Sequence, residues 1–252
     1  MQLDNQTEPG MQDEPQNVIR VAPVTPYYSY IFIACLIAVF GAQIYVDSIQ
    51  SVVFGGNRSA MVAGFSKPAF IAGEYWRVLT GAALHGGIIH LAFNCYALFI
   101  LGKLIEMLSN RAHLAIVFLL SAIGGNLLSF AVNPDGISVG ASGGIIGFLG
   151  YLTVYGFYRR KVMTSALLKN MLYNVAFMTI VGFSLASKID NFAHLGGLIV
   201  GAIYGFIQIP RDLYKDPRKA SETIELLGVG ALGIFIFVAV LTILLLLEIV
   251  RF

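Results

Sequence analysis

Apolar runs of helical length alternate with short polar breaks along most of the chain. Seven can be marked, at about 27–47, 82–102, 113–132, 141–157, 168–186, 191–209 and 227–249. A membrane-spanning helix needs about 20 apolar residues, so the pattern predicts seven spans, with the fourth short. From the second run onward most breaks are brief and polar, which predicts one compact bundle rather than two domains. Two stretches stand outside this rhythm. Residues 1–26 are polar and acidic and lack the basic start and short apolar core of a signal peptide, so a disordered cytoplasmic tail is expected there. The connection at about 48–80 is long for a compact bundle, where such loops are often functional. It is amphipathic: Val52-Val53-Phe54, Met61-Val62, Phe65, Pro68-Ala69-Phe70-Ile71 and Tyr75-Trp76-Arg77. Trp and Tyr concentrate at membrane interfaces, so this loop is expected to lie in the outer leaflet boundary. A plain interfacial anchor explains Trp76, the chain's single tryptophan, but not the length of the loop.

Composition agrees with the pattern. Hydrophobic residues make up 57% and charged residues 12%, against about 25% charged in a soluble domain, and the mean hydropathy is +0.77. The chain reads as an all-α integral membrane protein. A net charge of +2 leaves no basic footprint for nucleic acid. Cys35 and Cys95 both fall in apolar runs and read as packing residues.

Lysine and arginine set the orientation. With the N-terminus in the cytoplasm, the inner segments hold Arg20, Lys103, Arg111, Arg159, Arg160, Lys161, Lys169, Arg211, Lys215, Arg218 and Lys219. The outer ones hold Arg58, Lys67, Arg77, Lys188 and Arg251. Eleven against five predicts an N-terminus inside, a basic cytoplasmic loop at 211–226 and the start of the fourth run at the outer face.

That start carries the candidate chemistry. In Gly140-Ala141-Ser142-Gly143 a hydroxyl sits among glycines at the head of an apolar run. It is open to two readings: a small residue for close helix packing, or a nucleophile beside the N–H groups of a helix N-terminus. Polar residues inside spanning helices are expensive and are candidates for function. They are few here: His85, His90 and Asn94 in the second run, Asn126 in the third, Asn191 and His194 in the sixth. His90 and Asn94, four apart, share a helix face.

The glycines bring two of these residues together. Gly197, Gly201 and Gly205 lie within about 60° of the direction of His194 at about 100° per residue. The sixth helix thus has a face without side chains and an imidazole at its outer end. Gly143, Gly147 and Gly150 form a comparable face on the fourth helix. If the two faces meet, as small-residue faces in membranes do, the outer ends carrying Ser142 and His194 become neighbours. The fourth helix spans roughly 25 Å at 1.5 Å per residue, short of a hydrocarbon core of about 30 Å. The loop 133–138 must then dip below the outer surface, which is tolerated only where protein buries it or water reaches it.

These residues resemble a known family. Gly140-Ala141-Ser142-Gly143 is similar to the GxSG motif of rhomboid intramembrane serine proteases, and Asn191-Phe192-Ala193-His194-Leu195-Gly196-Gly197, followed by Gly201 and Gly205, to their sixth helix. His85, His90 and Asn94 match the second-helix pattern, and Trp76-Arg77 the element of the first outer loop. The resemblance implies a rhomboid-like six-helix bundle (27–210) with one extra C-terminal helix (227–252), a six-plus-one arrangement. It implies a Ser142 nucleophile with His194 as base and then acid, and an oxyanion held by the Ser142 backbone N–H, His90 and Asn94. Trp76, Arg77, His85, Gly140, Gly143, Gly197 and Gly201 would be structural, and the substrates would be transmembrane segments of other proteins in the lipid bilayer. No cofactor or metal is implied. The bacterial inner membrane is the expected location, with the site open to the outer face. One departure is Ile146, where many rhomboids place an aromatic residue against the catalytic imidazole.

A silent relative that binds membrane clients would usually lack the serine or the histidine. A transporter would be expected to show internal repeats or paired interrupted helices. A zinc protease would need HExxH, which is absent. An aspartyl protease needs two intramembrane aspartates, and Asp190 is a loop residue without a second.

Overall fold

The computed structural model describes residues 24–54, 58–163, 166–184 and 189–250. Most of the expected tail, together with Arg20, Lys188 and Arg251 of the charge count, lies outside these residues. Among the described residues, long helices fall on the seven apolar runs: α1 (Tyr27–Phe54), α5 (Ile88–Leu108), α6 (Arg111–Val132), α7 (Ser142–Tyr158), α8 (Ala166–Ser184), α9 (Asn191–Gln208) and α10 (Glu222–Leu246). Within the long connection are α2 (Arg58–Ala63), strand β1 (Phe65–Ser66), α3 (Lys67–Ile71) and α4 (Arg77–Ala83), and strand β2 (Ile137–Ser138) precedes α7. Among the described residues α1 (to Gln50), α5, α6 and α10 are long and apolar enough to cross a membrane.

The helix limits have local causes. Ser48 breaks α1 with φ 66° and ψ 156°, at the point where the apolar run ends. The second helix is displaced along the chain relative to the run at 82–102: His85 precedes it, and α5 begins only at Ile88 and continues to Leu108. Conversely α10 starts at Glu222 rather than near 227, because the Ser221 hydroxyl accepts the Ile224 N–H. Glu222 and Glu225 in its first turn complement the helix dipole. The N-terminus of α1 is capped from another helix. Buried Glu106 of α5 accepts the Ser29 N–H at 2.9 Å and the Ser29 hydroxyl at 2.7 Å. That carboxylate was not singled out from the sequence, since the residue it serves is 77 positions away.

At the centre α9 is pressed between α6 and α7. The glycine faces of α7 and α9 meet. A Cβ on Gly197 would collide with the Gly143 carbonyl, one on Gly201 with the Gly147 carbonyl, and one on Gly150 with the Leu198 carbonyl. The α6 helix uses a second set that escaped the sequence reading, with Gly125 against the Ala193 carbonyl and Gly196 against Gly124. Below this layer Phe118, Phe148, Tyr151 and Leu152 fill a buried core. The α10 helix packs outside α6 and α1, and Phe235 joins Phe32 and Phe118 in an aromatic cluster.

From Arg58 onward the long connection is an ordered piece of structure. Arg77, 8% exposed, donates to Glu74 Oε2 at 2.6 Å and to the carbonyls of Met61 and Gly64 at 3.1 and 3.0 Å, tying α2 to α4. Its guanidinium also lies over the Trp76 ring, 4.7 Å from the centroid. Asn126 of α6 donates to the Val78 carbonyl at 2.7 Å and holds α4 from the other side.

Candidate active site

Ser142 is the first residue of α7 and His194 lies in the first turn of α9. Apposed glycine faces let the two helices pack backbone to backbone, and the ends they align carry these two side chains. His194 Nε2 lies 2.8 Å from Ser142 Oγ. Ser142 stands about a quarter turn from the glycine stripe at about 100° per residue, so glycine spacing alone does not set this distance.

The chain enters α7 through Gly140, whose φ of +131° is a conformation that side-chain-bearing residues rarely adopt. Its N–H donates to the Gly81 carbonyl of α4 at 2.9 Å. The missing side chain leaves space for the His90 ring. A Cβ on Gly140 would stand 3.0 Å from His90 Nε2 and 3.6 Å from Ser142 Oγ. His90 Nδ1 accepts the Gly86 N–H at 3.3 Å, so a neutral imidazole carries its proton on Nε2, the nitrogen beside Gly140. His90 can therefore donate a hydrogen bond next to the serine.

Asn94 sits one turn deeper. It is buried, its amide donates to the His90 carbonyl at 2.9 Å, and it is not part of the cavity wall. His85 is buried behind His90 with ring centroids 5.2 Å apart. Its backbone is clamped on both sides by Gln43, which accepts from the His85 N–H at 2.9 Å and donates to its carbonyl at 3.0 Å. Trp76 and Arg77 lie in the long connection before α5, away from the Ser142–His194 pair.

A cavity of about 1110 Å³ opens beside the pair: His194 and His90 form part of its wall, while Ser142 is outside that wall. Ile89, His90 and Phe93 of α5 line one side, Val175 and Met178 of α8 another, and Ile146, Leu149, His194 and Leu198 the floor. Its rim is polar, with Lys67, Asp135 and Asp190. Ile146 stands one turn after the serine and presents an aliphatic surface where the family pattern has a ring. A hydroxyl hydrogen-bonded to an imidazole, with a neutral donor alongside and an apolar cavity above, is an arrangement suited to acyl transfer.

Two features of the site were not foreseen. The strands β1 and β2 pair antiparallel, Phe65 with Ser138 and Ser66 with Ile137, which joins the long connection to the segment leading into Ser142. Asp190, read from sequence as a loop residue, caps α9 and accepts hydrogen bonds from Ser129 and Ser138. No sequence period marks a two-residue strand, and Asp190's partners lie 52 and 61 residues away.

A family model, the Rhomboid domain, matches residues 72–211. The chain is 34% identical over 182 residues to rhomboid protease GluP of Bacillus subtilis, covering 70% of this chain and 34% of that protein. It is 35% identical over 156 residues to RHOMBOID-like protein 6, mitochondrial, of Arabidopsis thaliana, covering 59% of this chain and 49% of the relative. RHOMBOID-like protein 1 of the same plant is 36% identical over 146 residues, 56% of this chain and 36% of its own. The chain thus spans between a third and a half of the length of these relatives. Apolar helices able to cross a bilayer, and a domain match over more than half of its residues, make this chain a member of the rhomboid family and an integral, multi-pass membrane protein.

Proposed function

We propose that the chain is an intramembrane serine endopeptidase that hydrolyses peptide bonds in or near transmembrane segments of membrane proteins. The observation that carries this reading is the 2.8 Å contact between Ser142 Oγ and His194 Nε2, with His194 in the cavity wall. His194 takes the hydroxyl proton as Ser142 attacks the scissile carbonyl, then returns it to the leaving amine. The acyl group on Ser142 is released by water, again deprotonated by His194. The negative charge on the tetrahedral intermediate is met by the Ser142 backbone N–H at the start of α7 and by the His90 Nε2 proton. Asn94 acts through His90, whose carbonyl it binds.

The cavity supports the substrate class. Its side walls are Phe93 and Ile89 on α5 and Met178 and Val175 on α8, with Ile89 and Phe93 about two-thirds exposed, at 68% and 70%. Such a site receives an apolar chain from the bilayer, while water reaches Ser142 past the polar rim of Lys67, Asp135 and Asp190. The shorter α7, α8 and α9 complete a six-plus-one set of spans with α1, α5, α6 and α10. The N-terminus is cytoplasmic, and the site opens to the outer face of a bacterial inner membrane. The lysine and arginine bias supports that orientation.

A fluorophosphonate probe on the detergent-purified full chain tests the reading. Labelling of the wild type, lost in Ser142→Ala and in His194→Ala, is expected, together with cleavage of a model transmembrane substrate by the wild type alone. A folded wild type that neither labels nor cleaves would instead be a silent member of the family that binds membrane clients.

A further inference from the structure

Asp190 is the meeting point of four separate parts of the chain. Its Oδ1 accepts the Ala193 N–H at 3.0 Å, capping α9, and its carbonyl accepts the His194 N–H at 3.1 Å. Its Oδ2 accepts the Ser129 hydroxyl of α6 and the Ser138 hydroxyl of β2, both at 2.5 Å. Lys67 Nζ stands 4.0 Å from the same oxygen, on a side chain only 3% exposed. The Lys67 backbone N–H donates to the Gly136 carbonyl at 3.2 Å, so the lysine is itself stitched to the loop that leads into the nucleophile.

An N-cap needs only one acceptor, and Asn serves as well as Asp. The second oxygen, its two hydroxyl donors and a buried ammonium exceed that need. What they join is specific. Ser138 is four residues before Ser142, and His194 is four residues after Asp190, so the carboxylate spans the short gap between the strand feeding the serine and the turn holding the imidazole.

We propose that Asp190, charge-balanced by Lys67, is a positioning residue that holds His194 and Ser142 in register from outside the reacting atoms. The idea rests on the Ser142–His194 reading of the site. Glycine packing sets how closely α7 and α9 approach, and it leaves sliding along the shared face to be restrained by something else. The Ser138–Asp190–Ala193 chain of hydrogen bonds restrains it at the outer end, where a displacement matters most to a proton transfer. The two hydroxyls and the Ala193 N–H favour the ionised, accepting carboxylate, and Lys67 adds a counter-charge 4.0 Å away.

The test uses full-length protein in detergent or liposomes with a transmembrane substrate, and counts competent sites by fluorophosphonate labelling. Asp190→Asn keeps the cap and removes the charge and one acceptor site. It is expected to lower kcat per labelled serine by on the order of 10- to 100-fold with KM within about twofold. Lys67→Met should fall in the same direction. The double variant should be less impaired than the two losses combined, since neither charge is then left without its partner. Ser138→Ala, which cuts one strand of the link, should give a smaller loss in kcat and no additional loss on top of Asp190→Asn. If Asp190→Asn lowers the melting temperature or the labelled fraction while kcat per labelled serine stays at the wild-type value, Asp190 is a fold element only and the proposal is wrong. If Ser142→Ala keeps labelling and cleavage, it is the site reading that fails instead. A variant that does not fold is replaced by Asp190→Glu, which retains the charge and is expected to recover part of kcat.

Discussion

The carbonyl of Gly143 occupies the place where a side chain on Gly197 would begin. The same relation recurs a turn below between Gly147 and Gly201. Backbone-to-backbone contact of this kind fixes both the separation and the rotation of α7 and α9. Gly201→Ala should therefore destabilise the bundle by about 1–3 kcal/mol, the usual scale for overpacking. Thermal unfolding in detergent measures this, and an unchanged melting temperature would contradict the packing described.

Ser142 and His194 are assigned one function between them, so their losses should not add. Ser142→Ala and His194→Ala are each expected to reduce kcat by on the order of 10⁴–10⁶, and the double variant by no more than the larger single loss. Single-turnover cleavage of a transmembrane substrate reads this out. A multiplicative double variant would mean that the two side chains act independently.

His90 and Asn94 are expected to separate. His90→Ala removes a donor beside the serine and should lower kcat by about 10²–10³ with little change in KM. Asn94→Ala removes a hydrogen bond to the His90 carbonyl and not a direct donor, so its loss should be clearly smaller. Equal losses would place the Asn94 amide at the oxyanion after all.

Arg77 is the clasp of the long connection. Arg77→Ala would remove the donor of the Met61 carbonyl and one of two donors of the Gly64 carbonyl, which also accepts the Ser66 N–H at 2.7 Å, at about 1–3 kcal/mol in all. Arg77→Lys should restore the charge near Glu74 but not the fork that reaches both carbonyls. Melting temperatures in the order wild type, Arg77→Lys, Arg77→Ala are expected.

Stability should also carry a signature of Asp190 at low pH. Burial pushes its carboxyl up, but hydrogen bonds from Ser129, Ser138 and the Ala193 N–H, with the Lys67 charge, outweigh burial and hold it below the ordinary Asp range. A depressed value means that the folded protein releases this proton more readily than the unfolded chain. The stabilisation is then fully present above the ordinary value of about 3.9 and is lost as pH falls through the lower folded value. Lys67 and Asp135 are the other charged groups on this rim. The gap in melting temperature between wild type and Asp190→Asn should be constant from pH 5 to 8, bounds taken as roughly one unit or more above that value, and should close below it. A gap that opened on acidification would reverse the assignment.

What could be read from the sequence follows from the range of the interactions. Helices α1, α5, α6 and α10 declare themselves by runs of apolar residues, and the α7–α9 contact by glycines repeating every three or four positions. Both signals are local to one segment. The Ser142–His194 pair was legible because each stands at the end of such a face. Glu106, Gly124, Gly125 and Asp190 were not, because what makes them matter is a partner dozens of residues away. The limits of α5 and α10 shifted for a related reason, since His85 is held by Gln43 and the start of α10 by one hydroxyl, Ser221. Hydrophobicity has no information about either.

The two-residue pairing of β1 with β2 has one more consequence. Connections between helices commonly accept inserted residues with little penalty. Here Phe65 and Ser66 are in fixed register with Ser138 and Ile137, and Arg77 and Lys67 anchor the chain on either side. A residue added between Ala63 and Lys67 would slip that register and turn every side chain of the strand to its other face. The longest connection in the molecule is thus among the least able to change its length, and loop grafts between relatives should fail at this point even where the helices interchange freely.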